Sequence, residues 1–256
     1  MSQHPLDIES TTNPRIKAWA DLAKRSERDR TGTFLIEGAR ESERATQHVR
    51  VEEIVWCPEY TDTPPGGLSR STTVSARAFD KLSRRQNPDG VIAIARTPVM
   101  SLESFAQGDT HLILVGDAIE KPGNIGAMLR SCDAFGAAFI GSSLGTDLVN
   151  PNVIRAAQGS LFATSVASVP REDAIAWCTE NTTVVVAHPV DAAPLWQLDL
   201  AGPTSIVIGS EHEGVHPRWL EVGKPTVIPM TGVADSLNAS VSAGILLAEA
   251  SRQRSA

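Results

Sequence analysis

The feature that most constrains this chain is a series of short, almost wholly apolar runs spaced by helix-length stretches. Residues 111–116 and the valine run 183–187 show no polar alternation, the mark of strands buried on both faces of a parallel sheet. Further strands are expected at 137–140, 164–167, 205–209 and 225–228, with helices at 124–135, 150–157, 171–180 and 237–254. Such alternation gives an α/β domain. Three strands run into glycine-punctuated loops, 117–126, 209–214 and 229–238. Ligands of open parallel sheets bind beyond the carboxyl ends of the strands. The three loops are therefore expected to form one composite pocket.

The first hundred residues alternate as well. Helices are expected at 14–30, 39–48 and 76–83, strands at 33–36, 53–57, 72–74 and 91–95, and a loop at 61–70 around Pro64-Pro65-Gly66-Gly67. This reads as a smaller α/β domain over 1–97. A linker over 98–109, with one short helical turn, leads to a second domain over 110–256.

Composition narrows the class. A chain of 256 residues that is 41% hydrophobic and 21% charged has the apolar mass for a core, which excludes a disordered, collagenous or coiled-coil protein. The cysteines Cys57, Cys132 and Cys178 are far apart and form no CxxC pair. They are expected to be reduced, mostly buried thiols of a cytoplasmic protein. No run approaches the roughly 18 apolar residues of a membrane span, and residues 1–10 lack the pattern of a signal peptide. The net charge of −7 argues against a nucleic-acid partner only until it is divided. Residues 1–97 carry a net +1 and residues 98–256 a net −8. The basic residues of the first part cluster as Arg15, Lys17, Lys24, Arg25, Arg28 and Arg30, and as Arg77, Lys81, Arg84, Arg85 and Arg96. Clustered cations follow a phosphate backbone whatever the charge elsewhere. A solvated helix face is the plainer alternative for the first cluster, because Asp21, Glu27 and Asp29 interleave with it.

Each loop offers a small set of polar groups. In the first, Asn124 is placed to cap a helix, and Arg130 lies six residues on in the same helix. An arginine on a mostly apolar helix is a phosphate clamp, a carboxylate partner or one half of a structural salt bridge. The loop is neither G-x-G-x-x-G nor a Walker A sequence, so no dinucleotide or nucleoside-triphosphate site is expected. In the second, Gly209 allows a ligand close to the backbone, and Glu211 orients a cation or complements a helix N-terminus. His212 and His216 stand near Glu211 and Glu213, but the crowding speaks against a metal. In the third, Ser236 and Asn238 serve a polar, flat ligand or cap the helix that follows. Ser236 has neither G-x-S-x-G nor a paired histidine around it, so a nucleophilic role is not expected.

Taken together, the loops carry a resemblance. Pro122-Gly123-Asn124-Ile125-Gly126, Leu129-Arg130 and Asp133-Ala134-Phe135-Gly136 resemble the first motif of the SpoU (TrmH-type) branch of the SPOUT RNA methyltransferases. Ile208-Gly209-Ser210-Glu211 with Gly214 resembles the second, and Ile228-Pro229-Met230 with Ser236-Leu237-Asn238-Ala239-Ser240-Val241 the third. Arg155-Ala156-Ala157 and Gly159-Ser160-Leu161-Phe162 fit the family's middle segment, and the similarity runs over 111–252. Residues 1–97, entered through Phe34-Leu35-Ile36-Glu37-Gly38, resemble the family's L30e-like substrate-binding domain.

The resemblance implies a parallel-sheet domain closed by a deep trefoil knot, an exception to ordinary topology, and a homodimer. It implies S-adenosylmethionine as cofactor and methyl transfer to a ribose 2′-hydroxyl of RNA, most of all 23S ribosomal RNA, with no metal and no membrane. Transfer RNA as substrate, or a non-catalytic RNA-binding protein of the same fold, are the alternatives. By position, Arg130 matches the catalytic arginine, and Asn124, Glu211, Ser236 and Asn238 match residues that orient it or the ribose. Gly209, Ser210, Ile228, Met230 and Leu237 match the cofactor's surroundings. Arg155, Arg25, Arg28, Arg84 and Arg85 are the expected RNA contacts. Arginine is effectively always protonated. Whether Arg130 acts as general base or as a charged stabiliser of the developing alkoxide stays open at this level.

Overall fold

The computed structural model describes residues 6–62, 70–105 and 112–255. The expected loop around Pro64–Gly67, the end of the linker and His111 lie outside the described residues. The chain divides into two compact units, Met1–Pro98 with Val149–Phe162, and Val99–Leu148 with Ala163–Ala256.

The first unit begins with α1 (Pro14–Asp21) and α2 (Arg25–Thr31), followed by β1 (Thr33–Glu37), α3 (Ala39–Thr46), β2 (Val51–Trp56), β3 (Ser71–Thr73), α4 (Ala76–Asp80) and β4 (Val91–Arg96). The sheet has the order β1-β4-β2-β3. β4 pairs antiparallel with β1 and β2, and β2 pairs parallel with β3. Ile16, Trp19, Leu35, Val55, Phe79 and Ile92 belong to one buried cluster beneath it.

The single helix expected over 14–30 is two. α1 ends at Asp21, and the break is held by Arg28, which donates to the carbonyls of Leu22 at 2.8 Å and Ala23 at 2.9 Å. These carbonyls lie past the last helical turn of α1, where no helix N–H serves them. A basic side chain thus closes the break, and an amphipathic pattern cannot show that.

The second unit begins with β5 (Leu112–Asp117), α5 (Pro122–Phe135) and β6 (Ala138–Ser142). The chain then forms α6 (Pro151–Ala157) and α7 (Ser160–Ala163). α6 packs on β1 of the first sheet, and Phe162 stacks on Phe34 with ring centroids 6.2 Å apart. There follow β7 (Val166–Val169), α8 (Arg171–Asn181), β8 (Thr183–Ala187), β9 (Ala193–Pro194), β10 (Thr204–Ile208), α9 (Pro217–Val222), β11 (Lys224–Val227) and α10 (Ala239–Arg254).

The second sheet is parallel throughout, in the order β7-β6-β5-β10-β8-β11-β9. Ile113, Val115, Val184, Val186 and Val207 join Ile175 and Cys178 of α8 and Trp219 of α9 in one core. On the other face α5 contacts β5 and β6, and α10 contacts β5 and β10. Coverage on both sides is why these strands read as unbroken apolar runs. Small residues on one side of α10 pack within the chain, while Ala248 is exposed. Ala243 is fully buried, and a side chain at Gly244 would stand 3.6 Å from Ser131 Oγ on α5. All three cysteines are free and buried, and burial raises the Cys178 thiol to about 11. No described helix is long and apolar enough to cross a membrane.

Candidate active site

Because the second sheet is parallel, β5, β10 and β11 deliver their carboxyl ends to one edge. Each expected loop leaves from that edge. The loops meet through side chains. Asn124, in the first turn of α5, donates through Nδ2 to a carboxylate oxygen of Glu211 and accepts at Oδ1 from Asn238 Nδ2 at 3.2 Å. Lys121 Nζ lies 3.3 Å from the same Glu211 oxygen. One asparagine thus joins all three loops, and its amide is fixed by an acid on one side and an amide on the other.

Asn124 is therefore not the helix cap expected. Lys121 occupies that position without a side-chain bond, and Asn124 sits inside the helix, buried, with both ends of its amide spent on the other loops. Asn238 does cap its helix. Its Oδ1 accepts from Ser240 N–H at 2.9 Å and Val241 N–H at 3.4 Å while Nδ2 reaches Asn124. Asn238 thus caps its own helix and joins the third loop to the first. Ser236 is exposed and is not drawn into the network among the described residues. Arg130 is exposed on α5, and among the described residues it makes no hydrogen bond or ion pair.

Burial works to raise the Glu211 carboxyl, but hydrogen bonds from Asn124 and Lys121 and the Lys121 charge outweigh it, so it titrates below its ordinary 4.5. A depressed carboxyl stabilises the fold fully above the unfolded value and loses that contribution as pH falls through the folded one. Comparing urea unfolding of the wild type with Glu211→Gln is expected to show a stability gap at neutral pH that closes as pH drops below about 4.5. A gap that stays constant down to pH 3 counts against a charged Glu211 in the network.

The residues matched to the cofactor lie on the second and third loops. Ser210 and Gly214 exchange backbone bonds of 3.1 and 3.0 Å, which folds 210–214 into a tight hairpin. A Cβ on Gly209 would stand 2.1 Å from the carbonyl carbon of Gly214. Glycine is thus required at 209 because the chain crosses itself there. Ile228 and Leu237 are half-buried and Met230 is exposed. Among the described residues, the backbone of Pro229 to Leu237 makes no backbone hydrogen bond. Apolar side chains beside free backbone donors and acceptors suit a flat heterocycle carrying a polar tail.

A second network braces the same edge. Asp117, the last residue of β5, is fully buried. It accepts from Ser142 Oγ at 2.7 Å and Arg171 Nε at 2.9 Å through one oxygen, and from the His216 backbone N–H at 3.0 Å through the other. It thereby ties the ends of β5 and β6, the start of α8 and the stem of the second loop. Sequence reasoning assigned no role to Asp117 or Arg171. The available signal was an acid closing an otherwise apolar strand at the ligand edge.

The expected RNA contacts separate. Arg28 is 2% exposed and points inward to its two carbonyls, so it is removed from the RNA-facing set. Arg85 is largely engaged, donating to the Glu37 carbonyl at 2.8 Å and to Glu41 at 3.1 Å. Arg25 lies 3.6 Å from Asp29 on its own helix. Arg84 and Arg155 are exposed. No group of three or more metal-ligating side chains occurs among the described residues.

Fold and site thus define a parallel α/β domain whose three loops meet at the strands' carboxyl edge, preceded by a smaller mixed-sheet unit. The profile of the SpoU rRNA methylase family matches residues 111–248, and that of an MRM3-like substrate-binding domain matches residues 13–93. The chain is 31% identical to the 23S rRNA (uridine(2479)-2′-O)-methyltransferase of Streptomyces viridochromogenes, over 96% of this chain and 92% of that protein. It superposes with a TM-score of 0.85 on the crystal structure of an RNA 2′-O ribose methyltransferase, at 42% identity, covering 97% of this chain and 99% of that one. The SpoU methyltransferase AviRb from Streptomyces viridochromogenes, in complex with the cofactor AdoMet, gives a TM-score of 0.86 at 27% identity, with 95% and 99% covered. The chain belongs to the SpoU rRNA methylase family.

Proposed function

We propose that this protein is an S-adenosylmethionine-dependent methyltransferase acting on a ribose 2′-hydroxyl of 23S ribosomal RNA. The observation that carries the reading is the Asn124–Glu211–Asn238 network, which joins the three loops in a chain whose 31% identical relative, matched over 96% of its length, is a 23S rRNA 2′-O-methyltransferase. Residues 1–97 serve RNA recognition, supported by the match of 13–93 to a substrate-binding domain. The 23S rRNA relative, matched over 96% of this chain, favours ribosomal over transfer RNA.

The cofactor, when bound, supplies a methyl group activated by a positive sulfur. Ile228, Met230 and Leu237, with the free backbone between them, would hold it, and the Ser210–Gly214 hairpin would close one side. What is left for the chain is alignment, because the reaction needs the hydroxyl oxygen held in line with the methyl carbon. Asn124, Glu211 and Asn238 keep the pocket floor rigid for that purpose. Arg130 projects from the same helix as Asn124 with its guanidinium unspent. It serves as a charged donor to the developing alkoxide, and the hydroxyl proton leaves to water.

The protein acts as a homodimer in the cytoplasm, its C-terminal segment threaded as a trefoil knot. The dimer is supported by exposed apolar side chains at Met230, Val233 and Val241, around the third loop and the start of α10. The test is transfer of labelled methyl from S-adenosylmethionine to unmodified 23S rRNA, followed by mapping of 2′-O-methyl positions. One labelled ribose in 23S rRNA and none in bulk transfer RNA is the expected result. Label confined to transfer RNA overturns the substrate, and no label on either overturns the activity.

A further inference from the structure

The first basic cluster largely neutralises itself. Lys24 pairs with Asp21 at 2.8 Å, Arg30 with Glu27 at 2.7 Å, Arg25 with Asp29 at 3.6 Å, and Arg15 with Glu53. The second cluster behaves differently where it lines a cleft of about 220 Å³ in the first unit. The cleft is bounded by α1, β1, the segment after α4 and α6, with Trp19 and Leu35 among its apolar lining and Lys81, Arg84 and Arg155 among its polar residues.

Arg85, also in the lining, is paired with Glu41 and Asp89, whereas Lys81, Arg84 and Arg155 form no ion pair among the described residues. Among the described residues the Arg84 guanidinium makes no hydrogen bond or ion pair. Lys81 donates to the Thr11 carbonyl at 3.0 Å, and Arg155 to the Asn152 amide oxygen at 3.3 Å. One carboxylate faces the cleft, and it is occupied: Glu37 accepts from Ser83 Oγ and, at 3.0 Å, from the Arg84 backbone N–H. Beside the paired Arg85, three positive side chains without an ion pair, from chain segments about seventy residues apart, therefore converge on a concave surface with one internally satisfied acid. A mobile anion with several acceptor oxygens is the complement of such a surface.

We infer that this cleft holds a backbone phosphodiester of the RNA strand, with Arg84 and Arg155 as its charged donors and Lys81 beside them. The inference rests on the RNA-methyltransferase reading and adds a defined phosphate position to it. The apolar lining leaves room for the sugar next to the phosphate. A phosphate contact positions the strand without reading its sequence.

Each phosphate contact carries a signature. It contributes about 0.7–0.9 to the slope of log affinity against log salt, because neutralising a phosphate releases a counter-ion. Binding of full-length 23S rRNA transcript is measured by filter retention across salt concentrations, for the wild type, Arg84→Ala, Arg84→Ala/Arg155→Ala and Arg30→Ala. The double variant is expected to lose about tenfold in affinity near 0.15 M salt and to flatten the slope by about 0.7–0.9, the share of one phosphate. Arg30→Ala, whose guanidinium is spent on Glu27, is expected to keep the wild-type slope. Both cleft arginines are exposed, so unchanged thermal melts are expected to confirm folding.

A double variant with an unchanged slope, against a wild type that binds RNA, overturns the cleft alone. A wild type whose RNA binding shows no salt slope, with S-adenosylmethionine still bound in calorimetry, overturns the RNA reading and the cleft with it. A nucleoside monophosphate that competes as tightly as RNA makes the cleft a small-anion site and overturns the strand assignment.

Discussion

Arg130→Ala is expected to lower methyl transfer by about 10²–10³-fold, the loss seen when one donor to a developing oxyanion is removed, while S-adenosylmethionine binding stays within about twofold. The split follows from where Arg130 stands. It is exposed on α5 and, among the described residues, engages no neighbour, so nothing in the fold depends on it. The unfolding midpoint should hold, since surface substitutions of this kind stay within about 0.5 kcal/mol. Asn124, Glu211 and Asn238 keep their bonds in the variant because none of those bonds involves Arg130. Arg130→Lys is expected to restore little, because an ammonium lacks the planar fork of donors. Calorimetry for the cofactor and initial rates on 23S rRNA measure the two halves separately. Equal turnover by wild type and Arg130→Ala removes the arginine from the chemistry. Loss of cofactor affinity in parallel with rate makes it a binding residue instead.

The parallel sheet was legible because burial on both faces leaves a plain trace, the unbroken apolar runs that became β5 and β8. The three loops were legible for a related reason, since glycine and an amide or acid follow each such run. What escaped were features decided by partners distant in sequence. Asn124 reads as a cap from its neighbours alone, yet its amide answers Glu211 and Asn238, 87 and 114 residues away. Gly209 reads as room for a ligand, yet the crowding atom belongs to Gly214. The break between α1 and α2 is closed by Arg28, which composition counted as a surface cation. β9 and α9 span two and six residues, too short to leave a period.

Charge shows the same limit at larger scale. Dividing the net charge between the two parts of the chain turned attention to the first of them, but a count gave its two basic clusters equal weight. The ion pairs along α1 and α2 spend the first cluster, as i,i+3 and i,i+4 spacings permit. What distinguishes Arg84 and Arg155 is that neither guanidinium is ion-paired among the described residues, a property of the folded surface and not of either segment.

The other large effect is expected at Asp117. Asp117→Ala should cost about 3 kcal/mol, the lower end for breaking a buried ion pair, because the Arg171 side chain that loses its partner keeps 22% exposure and recovers some hydration. The Ser142 hydroxyl and the His216 N–H lose their acceptor at the same time. At about 2–4 °C per kcal/mol the midpoint should fall by roughly 6–12 °C. The consequence for function follows from the third bond. His216 N–H anchors the stem of the loop that carries Glu211, so its release loosens the partner of Asn124. Cofactor affinity in Asp117→Ala should therefore drop well below the transition, at temperatures where circular dichroism reports a folded chain. Asp117→Asn keeps an acceptor oxygen and should recover much of the stability. Its amide nitrogen accepts nothing, so one oxygen is left where two served Arg171 and His216, and cofactor affinity should recover less than the midpoint does. If Asp117→Ala melts with the wild type, the network is not structural. If it melts early yet binds cofactor normally when folded, Asp117 holds the sheet edge without governing the loop.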